Sequence, residues 1–168
     1  MYLTIETDRL QLRRIEIDDA PFLFRLMNSP GWLTFIGDRN ISGLDAARAY
    51  IVKMNKKKHH YYHLFEKRDS LKPVGVLTLL KRDGETHHDI GFALLPEFEG
   101  QGFALEASKA YLKQIKNLGM HKQILAITLA HNKRSIGLLM KLGLHFIGTR
   151  IKHGETLNYY GTTDEAVY

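Results

Sequence analysis

Gly100 and Gly102 stand two residues apart, just after an apolar run and just before a helical pattern. That placement suits the binding of an anion. Ile90 to Leu95 reads as a buried strand, Pro96 stops it, and from Phe103 onward the apolar spacing is helical. The first N–H groups of a helix have no partner within it, and the helix dipole adds positive potential there. Glycines let the main chain come close to a phosphate. The amides of Gly100, Gln101, Gly102, Phe103, Ala104 and Leu105 are therefore expected to hold a phosphorylated ligand. At the far end of the apolar run stand His88 and Asp89, two side chains able to accept a proton. Strand alternation sends them to opposite faces, so at most one can face a given substrate.

Composition narrows the class. The chain has 168 residues, 44% hydrophobic and 25% charged, which fits one soluble domain spanning 1–168. It has no cysteine, which excludes disulfides, thiolate metal sites and a cysteine nucleophile. No stretch approaches the roughly 20 apolar residues that span a bilayer, and the first residues do not read as a signal peptide. No membrane partner is expected, and a cytoplasmic location is the simplest fit. The net charge of +6 favours anionic ligands, but it is dispersed. Its one dense run, Lys56-Lys57-Lys58-His59-His60, reads as a solvated helix end, which argues against nucleic acid. His59 and His63 would straddle a helix–strand junction without carboxylates in a ligand pattern. The histidines are read as surface and strand residues, with no metal.

The elements that must position these groups follow from periodicity. Arg9 to Ile15 alternates as a first strand, and Asp18 or Asp19 can cap a helix running to about Met27. Asn28-Ser-Pro-Gly31 breaks that helix, and Ser42 can cap a second one carrying Leu44, Ala47, Tyr50, Ile51 and Met54. Tyr61–Glu66 and Val74–Lys81 form a hairpin, followed by His88–Leu95 and a helix ending near Gly119. Gln123–Leu129 is a buried strand, Asn132–Leu142 a helix, and Leu144–Ile151 with Glu155–Tyr160 a final pair of strands. The order is βααβββαβαββ, an α/β (α+β) fold.

This order and two local motifs resemble the GNAT superfamily of acetyl-CoA-dependent N-acetyltransferases. The branch that looks most similar is that of the RimJ/RimL ribosomal-protein N-terminal acetyltransferases. Thr7-Asp8-Arg9-Leu10-Gln11-Leu12-Arg13 looks like that branch's first strand, and Phe35-Ile36-Gly37-Asp38 like its segment between the first two helices. Ile90-Gly91-Phe92, Pro96, Gly100-Gln101-Gly102-Phe103-Ala104 and Glu106-Ala107 look like its acetyl-CoA motif. Asn132-Lys-Arg-Ser135 with Leu142-Gly143-Leu144 looks like the later motif. The resemblance implies a mixed, mostly antiparallel sheet with helices on both faces. It also implies acetyl transfer from acetyl-CoA to a primary amine, either a protein N-terminus or a small molecule. A homodimer is left open. One residue departs: Glu99 stands where the family usually has arginine or glutamine, and its side chain is expected to point outward.

The resemblance assigns further roles. Pantetheine lies beside Phe92, Ala93 and Leu94, where a splay frees backbone groups, and an N–H near Leu94 faces the thioester oxygen. Asn132 binds pantetheine. Many members place a tyrosine one turn after Ser135, where this chain has Leu139; the RimL-like resemblance implies that Ser135 serves the departing sulfur instead. Both residues can equally cap the helix. Trp32, Phe35 and Asp38, with Ile36 and Arg39, fall on the acceptor side. Trp32 can wall a pocket or cover the core, and Asp38 can attract an amine or pair with Arg39. The acceptor amine must be neutral to attack, which leaves His88, Asp89 and, more weakly, Glu155 as candidate bases. Without a cysteine, direct attack in a ternary complex is the economical route. The other reading is a non-catalytic CoA-binding or RNA/ribosome-associated module, to which the missing tyrosine gives weight. The net +6 favours a small or acidic acceptor, whereas the branch resemblance favours a basic protein tail.

Overall fold

Leu10 and Leu12 are fully buried and alternate with Gln11 and Arg13, so β2 (Leu10–Arg14) lies near one edge of a sheet. A two-residue strand, β1 (Ile5–Glu6), pairs with it. The structure, a computed structural model, describes residues 4–121 and 123–162. The expected extent of 1–168 reaches beyond them. After β2 come a short 3-10 turn, Ile17–Asp19, and helices α1 (Ala20–Met27), α2 (Pro30–Phe35) and α3 (Leu44–Lys56). Then follow β3 (His60–Lys67), β4 (Pro73–Leu80), β5 (His88–Leu94), α4 (Phe103–Asn117), β6 (Ile124–Leu129), α5 (Lys133–Lys141), β7 (His145–Lys152) and β8 (Glu155–Gly161).

Three expectations need correction. Asn28-Ser-Pro-Gly31 does end α1, but the chain re-enters a helix at once. Pro30 sits in the first turn of α2, where its missing N–H costs nothing. Asp19 stands at the α1 N-cap position without capping it, because its carboxylate serves Arg13 and the Glu16 N–H instead. Gly43, not Ser42, precedes α3.

The sheet order is β1-β2-β3-β4-β5-β6-β8-β7. Every neighbouring pair is antiparallel except β5 and β6, which α4 connects as a crossover. Helices cover both faces. His63 of β3 lies 4.8 Å, ring to ring, from Tyr111 of α4. On the other face Tyr62, Val76 and Thr78 meet Tyr50, Ile51 and Met54 of α3. The fold is the expected mixed, mostly antiparallel sheet between helical layers.

Candidate active site

The crossover builds the site. β5 and β6 pair only at His88–Ile124 and Asp89–Leu125, at their first residues. Beyond these the strands separate, although β5 stays in register with β4 as far as Leu94–Gly75. The Leu95 N–H donates to Val74 across that β4 side. Strand alternation therefore turns the N–H and C=O of Leu94 and Phe92 to the opposite edge, into the gap. Phe92, Ala93 and Leu94 are only half-buried in mid-sheet, whereas Ile90 and Leu95 on either side are buried. The expected splay between β5 and β6 is present.

At the carboxyl end of β5 the chain makes a short turn, Pro96–Phe98, and enters α4 through the glycine loop. Gly100 and Gly102 have φ of +74° and +80°, a region that costs other residues roughly 1–2 kcal/mol. A Cβ on Gly100 would meet no atom within 4 Å, so this side of the loop is open. Among the described residues, none accepts a hydrogen bond from the N–H groups of Gly100 to Leu105. Six main-chain donors are thus available to an anion, which fits the diphosphate of acetyl-CoA.

Three acidic side chains surround this loop, and an arginine answers each. Glu97 accepts from Arg25 at 2.9 Å, Glu99 from Arg134 at 2.6 Å, and Glu106 from Arg9 at 2.6 Å. Glu99, the residue out of pattern, is therefore spent on the first turn of α5. With the acids neutralised, the local field is set by the amide dipoles and the α4 N-terminus.

Asn132 caps α5 by accepting from the Ser135 N–H at 3.1 Å. This leaves the Asn132 side-chain amide donor for a ligand carbonyl and the Ser135 hydroxyl, half-buried, free to turn. Leu139, in the position of the absent tyrosine, is 1% exposed and belongs to the core.

The candidate bases are less available than their sequence positions suggest. Asp89 is 1% exposed and accepts two hydrogen bonds from Arg82, at 2.6 and 3.1 Å. Burial pushes its carboxyl up against the pull of Arg82. His88 packs against His121 with ring centroids 4.3 Å apart and the rings tilted by 48°. Burial, followed by His121, Lys81, His59 and His60, lowers its pKa to about 4. It is neutral at physiological pH, but a weaker proton acceptor than a free imidazole. Glu155 is exposed. With His131, Lys133 and Thr156 it lines an open groove of about 460 Å³ between the β6–α5 loop and the β7–β8 turn.

The acceptor-side residues separate. Trp32 is buried, donates to the Gly37 carbonyl at 3.1 Å and covers the core. Asp38 accepts from the Asn40 N–H at 2.7 Å, while the positive charge of Arg39 acts on Tyr50. Phe35 is 38% exposed and lies 5.8 Å, ring to ring, from His131. Of the three, Phe35 alone is shown against a residue that lines the groove, His131. His131 adjoins Asn132 in sequence and could have been found by that adjacency alone. Of the histidines read as surface and strand residues, His63, on a central strand covered on both faces, is fully buried. Among the described residues no group of three His, Asp or Glu could hold a metal, and no helix is long and apolar enough to cross a membrane.

Comparison with known proteins agrees with this fold. The acetyltransferase (GNAT) domain family matches residues 9–145. An uncharacterized N-acetyltransferase of Bacillus subtilis, YoaA, is 28% identical over 148 residues, 85% of this chain and 83% of its own. A GNAT-family acetyltransferase structure from Bacillus anthracis superposes with a TM-score of 0.83 at 23% identity, over 98% of this chain and 99% of that one. RimL, the ribosomal L7/L12 alpha-N-protein acetyltransferase, superposes at 0.80 with 17% identity, over 97% and 95%.

Proposed function

The chain belongs to the GNAT acetyltransferase family, and from that premise we propose that it acetylates an α-amine, the N-terminus of a peptide or protein, as the RimJ/RimL branch does. It is an acetyl-CoA-dependent N-acetyltransferase. The observation that carries the choice of acceptor is the state of the groups at the start of β5. Asp89 is tied to Arg82, and His88 has a pKa near 4. Neither is suited to strip a proton from a strongly basic amine. An α-amine, with a pKa of roughly 7.7–8.0, is already neutral in part at physiological pH, whereas a lysine amine near ~10.4 is almost wholly charged.

The chemistry then runs as follows. Amides of residues 100 to 105 hold the diphosphate, and the pantetheine lies along the free edge of β5. The thioester oxygen faces the Leu94 N–H, which strengthens its hydrogen bond as negative charge develops. The neutral amine approaches past Phe35 and His131 and attacks the thioester carbon. The C–N bond forms, the C–S bond breaks, and the amine's proton passes to water. The CoA sulfur leaves as a thiolate that accepts a hydrogen bond from Ser135.

The test is release of CoA thiol from acetyl-CoA with a panel of acceptors, free of background because the chain has no cysteine. Peptides with free N-termini should turn over. Their kcat/KM should rise with pH through the acceptor's own pKa and shift when that pKa is changed. Turnover confined to polyamines or lysine side chains would overturn the acceptor assignment. CoA binding without turnover on any amine would favour the non-catalytic module.

A further inference from the structure

Arg9, at the entrance to β2, does more than pair with an acid. Its main-chain N–H and its Nε both donate to the Glu106 carboxylate, at 3.0 and 2.6 Å, and Thr7 Oγ1 donates to the same group at 2.6 Å. Its guanidinium lies 4.4 Å from the centre of the Phe103 ring. Its Nη1 donates to the carbonyl oxygen of Gln101 at 3.0 Å. Of the three arginines around the loop, it is the one bonded to the loop's main chain.

The bond to Gln101 fixes more than one atom. The peptide unit is planar, and no peptide bond in the described chain is cis. In a trans unit the C=O and the following N–H point in opposite directions. Anchoring the Gln101 carbonyl on Arg9 therefore turns the Gly102 N–H to the other side of the loop, where no described residue accepts it. Released from Arg9, this peptide could rotate about its flanking bonds, because Gly102 tolerates almost any φ. A rotated unit would present a carbonyl oxygen where a phosphate needs a donor. The Glu106 carboxylate, one turn into α4, would also lose its neutralising partner.

We propose that Arg9 is a positioning residue for the donor substrate: through Gln101 and Glu106 it sets the glycine loop so that its amides, and not its carbonyls, face the diphosphate. The proposal rests on reading that loop as the diphosphate site. Arg9 itself bonds the carbonyl side of the Gln101–Gly102 peptide, opposite the Gly102 N–H. The sequence separation of 92 and 97 residues from its two partners explains why no local pattern points to it.

The experiment measures CoA binding by calorimetry and binding of pantetheine, which lacks the phosphates, by NMR titration. Arg9→Ala should weaken CoA by at least about tenfold, the scale of one charge-assisted hydrogen bond, and leave pantetheine unchanged. Arg9→Lys keeps the charge without the fork, so it should recover only part of the loss, and it decides the matter if Arg9→Ala does not fold. Unchanged CoA affinity in a folded variant, or equal losses for CoA and pantetheine, overturns the proposal. Gly100→Glu separates the two readings, because its side chain enters the open side of the loop, away from Arg9. If it leaves CoA binding intact, the loop assignment falls and Arg9's role falls with it. If it abolishes binding while Arg9→Ala does not, the role of Arg9 alone is lost.

Discussion

Ser135 presents two groups with separate employment. Its N–H is held by Asn132, which stabilises the start of α5, and its hydroxyl takes part in no described bond. Alanine keeps the first and removes the second. Ser135→Ala should therefore lower kcat about tenfold, with KM for acetyl-CoA within about twofold, if the hydroxyl supports the leaving thiolate. Its thermal midpoint should not move. Asn132→Ala is the complementary change: it removes the cap, worth about 1 kcal/mol, and also the donor available to pantetheine. It should lower both the melting temperature and CoA affinity. If Ser135→Ala raised KM as much as it lowered kcat, the hydroxyl would be a binding contact and the thiolate would depend on water. These two residues were legible in the sequence because Asn-x-x-Ser is a local spacing. The acid–arginine pairs around the loop were not, because Glu99–Arg134 and Arg9–Glu106 join residues 35 and 97 apart.

At the scale of elements, the gap between β5 and β6 depends on β5 lying tightly on β4. Gly75 of β4 sits opposite Leu94. A Cβ there would come within 2.4 Å of both the Ala93 carbonyl oxygen and the Phe65 ring. Neither can yield without moving β5 or β3. Gly75→Ala should cost roughly 1–3 kcal/mol, several degrees of melting temperature, and weaken acetyl-CoA more than the melting loss explains. Parallel thermal melts and CoA titrations check this. A variant with wild-type stability and affinity would mean that the strand ladder is looser than its spacing implies. Strands and long helices were readable because period-2 and period-3.6 patterns persist over whole elements. α2 was not: six residues are too few for a period, and its Pro30 reads as a stop when it is a first-turn residue. The place of β8 between β6 and β7 was equally hidden, since a hairpin reads the same whichever strand meets the sheet.

The whole molecule carries a pH limit set by its buried imidazoles. His63 lies between a central strand and α4, and burial lowers its pKa from 6.5 to about 4. His88 is lowered to about 4 as well, in a less enclosed place. Well above 6.5 both are neutral whether the chain is folded or not, and stability is at its full value. As pH falls from 6.5 toward 4, the unfolded chain takes up protons that the folded chain refuses, and stability is lost. His63 alone accounts for a loss on the order of 3 kcal/mol across that window. The carboxylates act lower down. Burial pushes Glu85 up, but Lys152, Tyr159 and Arg150 hold it below its usual 4.5. Glu106, likewise pushed up by burial, is held below 4.5 by Thr7 and Arg9. Both withdraw their contribution only as pH falls through these depressed values. Urea unfolding at neutral pH and at about pH 5 should therefore show a clear loss before Glu85 and Glu106 titrate. His63→Phe keeps a ring against Tyr111 and removes the titration, so it should flatten the slope between those pH values even if it changes the absolute stability. An equal slope in the variant would place the acid sensitivity elsewhere, with His88 and its neighbour His121 the next imidazoles to replace.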